Sequence, residues 1–256
     1  MTEFERAFAL MDRLDERSAE RLEPTPFGPV LVHERLDRVH DLNFLRAERP
    51  GGASAEELAA ATERVQGAAG IRHRRVNLRS EEERRRLEAC FIAIGWEPQH
   101  FLLMAHRGEV GRRPGLDAVR EVDEPALRAL WAAGIRAEPY GKNEEVVQQL
   151  LEHKRVIEAA IPTRFFAAGI DGELVSHAEL YSEDGVGQIE NVVTLPEFRG
   201  RGLASAVVAR AVRESQAAGN DLTFLVADAD DWPQRLYERL GFEAIGRYGR
   251  FLRKSV

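Results

Sequence analysis

The chain has 256 residues, 44% of them hydrophobic, with 43 Asp and Glu against 36 Lys and Arg for a net charge of −7. That length buries a sizeable core in one large domain or two modest ones, and an acidic balance without a basic tail argues against sequence-independent nucleic-acid binding, which needs clustered cations. The single cysteine, Cys90, excludes a disulfide within the chain, and the amino terminus alternates acids and bases, so it reads as neither secretory signal nor anchor; the expectation is a cytoplasmic protein without a membrane partner.

Residues 3–20 place Phe4, Ala7, Phe8, Met11 and Leu14 at helical spacing, which predicts an amphipathic helix ending before Pro24. Strands are predicted over 29–36, 40–48 and 71–78, with a helix over 54–67 that Ser54 caps. A further helix over 80–95 opens on Ser80 with Glu83 three residues on, a capping-box pattern, and Gly95 stops it; residues 96–107 then read as extended. Residues 108–115 carry glycine, proline and charge without an apolar period, so the domain boundary is placed there, giving domains 1–110 and 111–256.

The second half opens with a strand over 116–122, a helix that Asp123 caps with Pro125 in its first turn, and a helix over 143–160 with an apolar stripe of Val146, Val147, Leu150, Leu151 and Ile157. Strands over 163–170 and 173–181 flank Asp171-Gly172, a two-residue hairpin signal. A strand over 188–195, a glycine turn, a helix with Leu203, Val207, Val208, Ala211 and Val212 on one stripe, a strand over 221–228, a short helix over 231–241 and a final strand pair complete the chain.

The two halves repeat one order of elements when Arg49 is laid over Arg199 and Gly52 over Gly202. The next strand is then predicted 22 residues beyond each arginine, Ile94-Gly95-Trp96-Glu97 lies over Leu240-Gly241-Phe242-Glu243, and Phe91 falls on Tyr237.

Chemistry concentrates in Glu190-Asn191-Val192-Val193-Thr194-Leu195-Pro196-Glu197-Phe198-Arg199-Gly200-Arg201-Gly202-Leu203-Ala204, a strand feeding a glycine turn that opens a helix. Glycines let consecutive backbone N–H groups converge, the helix start adds partial positive charge, and Arg199 and Arg201 add formal charge, so the turn suits a pyrophosphate. Other templates fit less well. No Gly-x4-Gly-Lys-Ser/Thr sequence exists, Ser205 stands at the third glycine position of a dinucleotide turn, and His40 comes too late after His33-Glu34 for zinc on one helical face. The cations Arg72, Arg74, Arg75 and Arg79 alternate along a strand, which splits them between two faces and favours a solvated or ion-paired surface.

Together with Leu236-Tyr237-Glu238-Arg239-Leu240-Gly241-Phe242, this motif resembles the acyl-CoA-binding core of the GNAT superfamily of N-acetyltransferases, over residues 115–256. The resemblance implies an α/β (α+β) fold of two GNAT-like domains, each a mixed, mostly antiparallel sheet flanked by helices, with the amino-terminal one truncated. It implies transfer of an acetyl group from acetyl-CoA to a small-molecule or peptide amine by direct attack in a ternary complex; the alternative is a non-catalytic acyl-CoA-binding regulator. By that resemblance Arg199, Gly200, Arg201, Gly202, Leu203 and Ala204 grip the pyrophosphate of coenzyme A. Val192, Val193 and Thr194 present amides to the thioester and pantetheine.

Tyr237 matches the position whose phenol protonates the departing sulfur; the bland reading is a ring capping the core. Glu190, placed by alternation on one strand face with 192 and 194, either accepts the ammonium proton through water or only anchors a cationic acceptor, with His177 as a reserve base. Glu179, Asp228, Asp230 and Asp231 would add to that preference for a cation if they line the acceptor side. Asp230 stands where the family has an asparagine, which weakens its part in holding the cofactor, and Pro233 replaces an alanine. In the first half, Arg49-Pro50-Gly51-Gly52-Ala53-Ser54 has a proline that deletes one donor, and Phe91 lacks a phenol, so that half is read as structural or acceptor-shaping. No metal site is expected, and neither acceptor identity nor oligomeric state is readable.

Overall fold

The structure is a computed structural model that describes residues 1–111, 114–231 and 233–254. In chain order the first elements are α1 (Glu3–Ser18), β1 (Arg21–Thr25), β2 (Gly28–Val32), β3 (Phe44–Ala47), α2 (Ala55–Thr62), β4 (Arg74–Leu78) and α3 (Glu81–Ala93). There follow β5 (Glu97–His106), β6 (Arg120–Val122), α4 (Glu124–Arg136), α5 (Glu144–Ala160), β7 (Thr163–Ile170), β8 (Glu173–Glu183) and β9 (Val186–Thr194). The last are α6 (Leu203–Ala217), β10 (Leu222–Asp228), α7 (Pro233–Arg239) and β11 (Phe242–Arg253). Among the described residues no helix is long and apolar enough to cross a membrane.

Contacts divide the chain into two units, neither of them one continuous stretch. Unit 1 is Met1–Leu10, Leu103–Ala227 and Trp232–Ile245; unit 2 is Met11–Leu102, Asp228–Asp231 and Gly246–Val256. The boundary segment read from the sequence, 108–115, falls inside unit 1, and its Arg112 and Arg113 lie outside the described residues, as does Trp232 of the short carboxy-terminal helix.

The repeat is visible in the strand pairing of each unit. In unit 2, β1–β2 and β2–β3 are antiparallel, β3–β4 is parallel and β4 pairs antiparallel with β11. In unit 1, β7–β8 and β8–β9 are antiparallel and β9–β10 is parallel, with β6 added antiparallel to β7. Each parallel pair is joined by one helix, α2 or α6, as a parallel crossover requires. Each unit is therefore a mixed, mostly antiparallel sheet flanked by helices, and α1, whose residues 11–18 belong to unit 2, stands alone before β1 where α4 and α5 stand before β7.

Apolar faces close each core. In unit 2, Val30, Leu45, Leu58, Val76, Phe91 and Phe251 are buried together, and in unit 1, Leu127, Leu130, Trp131, Phe165 and Ala167 form the cluster beneath α4. The arginines of the β4 region are ion-paired, Arg72 with Asp37 at 3.0 Å, Arg74 with Glu63 at 2.7 Å, Arg75 with Asp41 at 2.7 Å, and Arg79 with Asp12.

Four expectations about elements change. The strands expected over 29–36 and 40–48 shorten to Gly28–Val32 and Phe44–Ala47. The buried Asn43 side chain accepts from the His33 N–H at 2.8 Å and donates to the carbonyls of Leu36 and Val39 at 2.9 and 3.1 Å, which fixes the connection as turns. Residues 116–118 turn before the short β6, and the final strand pair is one strand, β11. A strand that Pro24 hides from sequence reasoning, β1, forms at the sheet edge, where a missing N–H is tolerated.

Candidate active site

All of the expected site residues except Asp228, Asp230 and Asp231 belong to unit 1. The motif strand β9 pairs with β8 along its length, but its parallel register with β10 runs only from Val186↔Leu222 to Ile189↔Leu225. Beyond Ile189 the edge of β9 that faced β10 carries no further register pair, so the backbone of 190–194 can pair with an extended ligand.

A bulge lies at that point. Between His177↔Val193 and Glu179↔Glu190, β9 carries two residues, Asn191 and Val192, opposite the single Ala178, and Asn191 adopts φ +50°. The bulge overturns the strict alternation expected for 190, 192 and 194. Cross-strand partners share a face, so Glu190 and Val193 sit on the face of Glu179 and His177, and the extra residue breaks the spacing to Val192. Gly134 of α4 packs onto this stretch, since a Cβ there would lie 3.2 Å from Val193 Cγ1.

The glycine turn follows. Gly200 and Gly202 both take φ +77°, a region that L side chains rarely adopt, and Gly202 is the N-cap of α6 without a side-chain cap. No acid stands in the first turn of α6, so the amides of 203–205 are offered outward with the partial positive charge of the helix start. Arg199 donates from Nε to the Thr194 carbonyl at 3.1 Å, which folds it back over the end of β9, and the Arg201 guanidinium lies 5.4 Å from the Phe198 ring centre. Leu203 and Ala204 are half-buried at the head of the helix. Thr194 Oγ1 is 2.8 Å from Ser176 Oγ, which also donates to the Val193 carbonyl at 2.9 Å and steadies the end of the strand.

Tyr237, half-buried on α7, has its ring centre 6.0 Å from that of Phe242. Burial first, and then the charge of Glu190, pushes its phenol up to about 12, so it holds its proton at neutral pH. Glu190 accepts from Gln188 Nε2 at 2.6 Å. His177 is fully buried with neither ring nitrogen hydrogen-bonded, and burial pushes it down to about 4, so it is neutral.

The carboxylate at 179 is already committed. It is 1% exposed, with Oε1 accepting from Lys154 Nζ at 2.7 Å and Oε2 from the Tyr181 hydroxyl at 2.7 Å and Asn191 Nδ2 at 2.9 Å. Burial pushes Glu179 up most strongly, but Lys154, His177 and the Tyr181 hydroxyl together hold it below the usual carboxylate range. Asp230 belongs to unit 2, where its carboxylate is 2.8 Å from His100 Nδ1 and its N–H donates to Asp228 Oδ1 at 2.9 Å.

Sequence reasoning missed Lys154, Tyr181 and the conformation of Asn191. The available signal was Asn191 itself, one of the few non-glycine types that tolerate positive φ, inside an otherwise β-branched strand. Among the described residues no group of three or more His, Cys, Asp or Glu is placed to hold a metal ion.

Residues 127–242 match the family model described as the Acetyltransferase (GNAT) family. Mycothiol acetyltransferase of Streptomyces griseus is 30% identical over 119 residues, 44% of this chain, and the match spans only 39% of that relative's length. Over the whole fold, a functionally unknown conserved protein from Staphylococcus epidermidis aligns with TM-score 0.68 at 13% identity, covering 93% of this chain and 95% of the other. A GCN5-related N-acetyltransferase from Kribbella flavida aligns with TM-score 0.64 at 19% identity, covering 98% and 95%.

Proposed function

From the match of residues 127–242 to the Acetyltransferase (GNAT) family model, we propose that this chain transfers an acetyl group from acetyl-CoA to an amine by direct attack in a ternary complex. The observation that carries the proposal is the juxtaposition along one stretch of chain of a β9 segment, 190–194, without further β10 register and a helix start that no side chain caps. The first suits an extended pantetheine arm and the second a pyrophosphate.

In this reading Arg199, Gly200, Arg201, Gly202, Leu203 and Ala204 hold the pyrophosphate, and the amides of Val192, Val193 and Thr194 receive the arm and the thioester carbonyl. Bound acetyl-CoA supplies a thioester acyl group, whose carbon forms a bond to the acceptor nitrogen as the carbon–sulfur bond breaks. Tyr237 donates its phenolic proton to the sulfur, and its raised pKa keeps that proton in place until a thiolate forms. Glu190 draws the acceptor ammonium to the face it shares with Val193 and takes the proton through water, a step helped by partial desolvation of the amine. Small-molecule and peptide amines are both compatible with this chemistry. Asp230 is left out of the cofactor contacts, since its carboxylate is engaged by His100.

Residues 111–256 perform the transfer, and residues 1–110 serve a structural or acceptor-shaping part. A thermal-shift screen of acyl-CoA chain lengths, then an amine panel with free-thiol detection, tests the proposal. Acetyl-CoA stabilisation and amine-dependent thiol release are expected. Binding without thiol release for any amine would leave an acyl-CoA-binding regulator, and no binding at all would remove the reading.

A further inference from the structure

Asn191 presents a physical puzzle. An L residue at φ +50° in the middle of a strand is strained, Asn191 is exposed, and yet its side chain turns inward to a buried group. Its Nδ2 donates to Glu179 Oε2 at 2.9 Å and to the Tyr181 hydroxyl at 3.1 Å; that hydroxyl donates to the same Oε2, and Lys154 Nζ holds Oε1 at 2.7 Å. Every member lies on an element of unit 1: Lys154 on α5, Glu179 and Tyr181 on β8, Asn191 on β9.

Resting on the reading that the amides of 192–194 receive the thioester, we infer that Lys154, Glu179 and Tyr181 form a buried clamp that holds Asn191 in its left-handed conformation and thereby aims the neighbouring β9 amides at the thioester carbonyl. The three are positioning residues; none touches the reacting atoms. A buried ion pair contributes little stability compared with an apolar pair of the same shape, so stability alone is a poor account of this one. What it does provide is a fixed, net-neutral hydrogen-bonding point at the one place where β9 must carry an extra residue and leave its register with β10. Without the clamp, the residue relaxes to negative φ, the bulge shifts, and the amides of 192 and 193 turn away. Oxyanion donors act only when aimed in advance, so the loss falls more heavily on the carbonyl than on the pantetheine arm.

The test compares acetyl-CoA with S-ethyl-CoA, which keeps the shape but lacks the carbonyl oxygen, by calorimetry on the full chain with unfolding midpoints alongside. The wild-type chain is expected to favour acetyl-CoA by roughly tenfold, the worth of one or two hydrogen bonds to that oxygen. Asn191→Val, whose β-branched side chain does not fit positive φ, brings the ratio to about one while S-ethyl-CoA binding stays within about twofold. Tyr181→Phe lowers the ratio by roughly threefold, and Asn191→Gly, for which the left-handed backbone is free of strain, restores more than Asn191→Val does. A wild-type ratio of one, or a folded Asn191→Val or Tyr181→Phe chain with the wild-type ratio, overturns the inference. If Asn191→Val does not fold, Tyr181→Phe and Asn191→Gly decide it alone. Binding of neither ligand to the wild-type chain overturns the acyl-CoA reading itself, and the clamp's role with it.

Discussion

The two copies of the strand–turn–helix element share an order of elements and a left-handed glycine and differ in what fills the helix start. Gly52 takes φ +81° where Gly202 takes +77°, and each is followed within three residues by a helix. In unit 2, Ser54 caps α2: its side chain accepts from the Glu57 N–H at 3.2 Å, Glu57 Oε2 accepts from the Ser54 N–H at 2.8 Å, and Glu56 adds a second acid to the first turn. In unit 1, α6 has neither a cap nor an acid. One helix start is satisfied by its own side chains and the other is left for an anion, so a repeat can keep its fold while a single capping box removes its ligand.

The far end of the repeat follows the same logic. Phe91 and Trp96 meet at 5.2 Å and 61°, Tyr237 and Phe242 at 6.0 Å and 64°, and the glycines between them, Gly95 and Gly241, take φ +82° and +93°. Phe91, however, is fully buried and stacks on Phe251 at 4.2 Å, whereas Tyr237 is only half-buried and carries a phenol.

The largest expected effect comes from making the two ends alike. Tyr237→Phe gives unit 1 the side chain that unit 2 already has, and we expect turnover in the thiol-release assay to fall by about 10²–10⁴ with acetyl-CoA affinity retained. Full turnover would separate ring packing from catalysis and leave the phenol without a role.

Next in size is the acid response. His177 in unit 1 is pushed down to about 4 by burial, and His73 in unit 2 to about 3 by burial and the nearby His40. An unfolded imidazole, near about 6.5, takes up its proton first as pH falls. Native stability is therefore complete above that value and is lost as pH falls towards each folded pKa, on the order of 3 kcal/mol per histidine. Denaturant midpoints at neutral and acidic pH should lie closer together in His177→Asn, with the remainder due to groups such as His73, and an unchanged pH slope would mean that His177 is charged in the native state.

A smaller effect tests the capping contrast directly. Ser205→Glu places a carboxylate in α6 where Glu57 stands in α2, and coenzyme A affinity by calorimetry should drop by roughly tenfold. The smallest is the reverse change, in which Ser54→Ala opens α2 at a cost of about 1 kcal/mol in stability and leaves coenzyme A affinity unaltered. An affinity change in Ser54→Ala would show that the turn of unit 2 takes part in binding.

Much of this was legible in the sequence because it is local. Helix caps at Ser54, Ser80 and Asp123 and the glycine turn at 200–202 all depend on residues a few positions apart. The clamp on Asn191 was not legible, since Lys154 meets Glu179 across 25 positions and only when α5 packs on β8. The bulge defeated the alternation rule for Glu190 for a similar reason: one inserted residue reverses the face of everything beyond it, and no periodicity announces where it falls.

The division of β5 and β11 between the units bears on how the chain is made and how it can be cut. Unit 1 draws on Met1–Leu10, which Arg6 ties to Asp221 at 2.6 Å and Glu3 to Arg107 at 2.7 Å, and on residues up to Ile245; unit 2 needs Gly246 onward. During vectorial synthesis neither unit is complete until its share of β11 has left the ribosome. Scissors placed at residue 111 would therefore yield two damaged fragments instead of two domains, and deletion mapping of this protein should swap side chains and leave the chain whole.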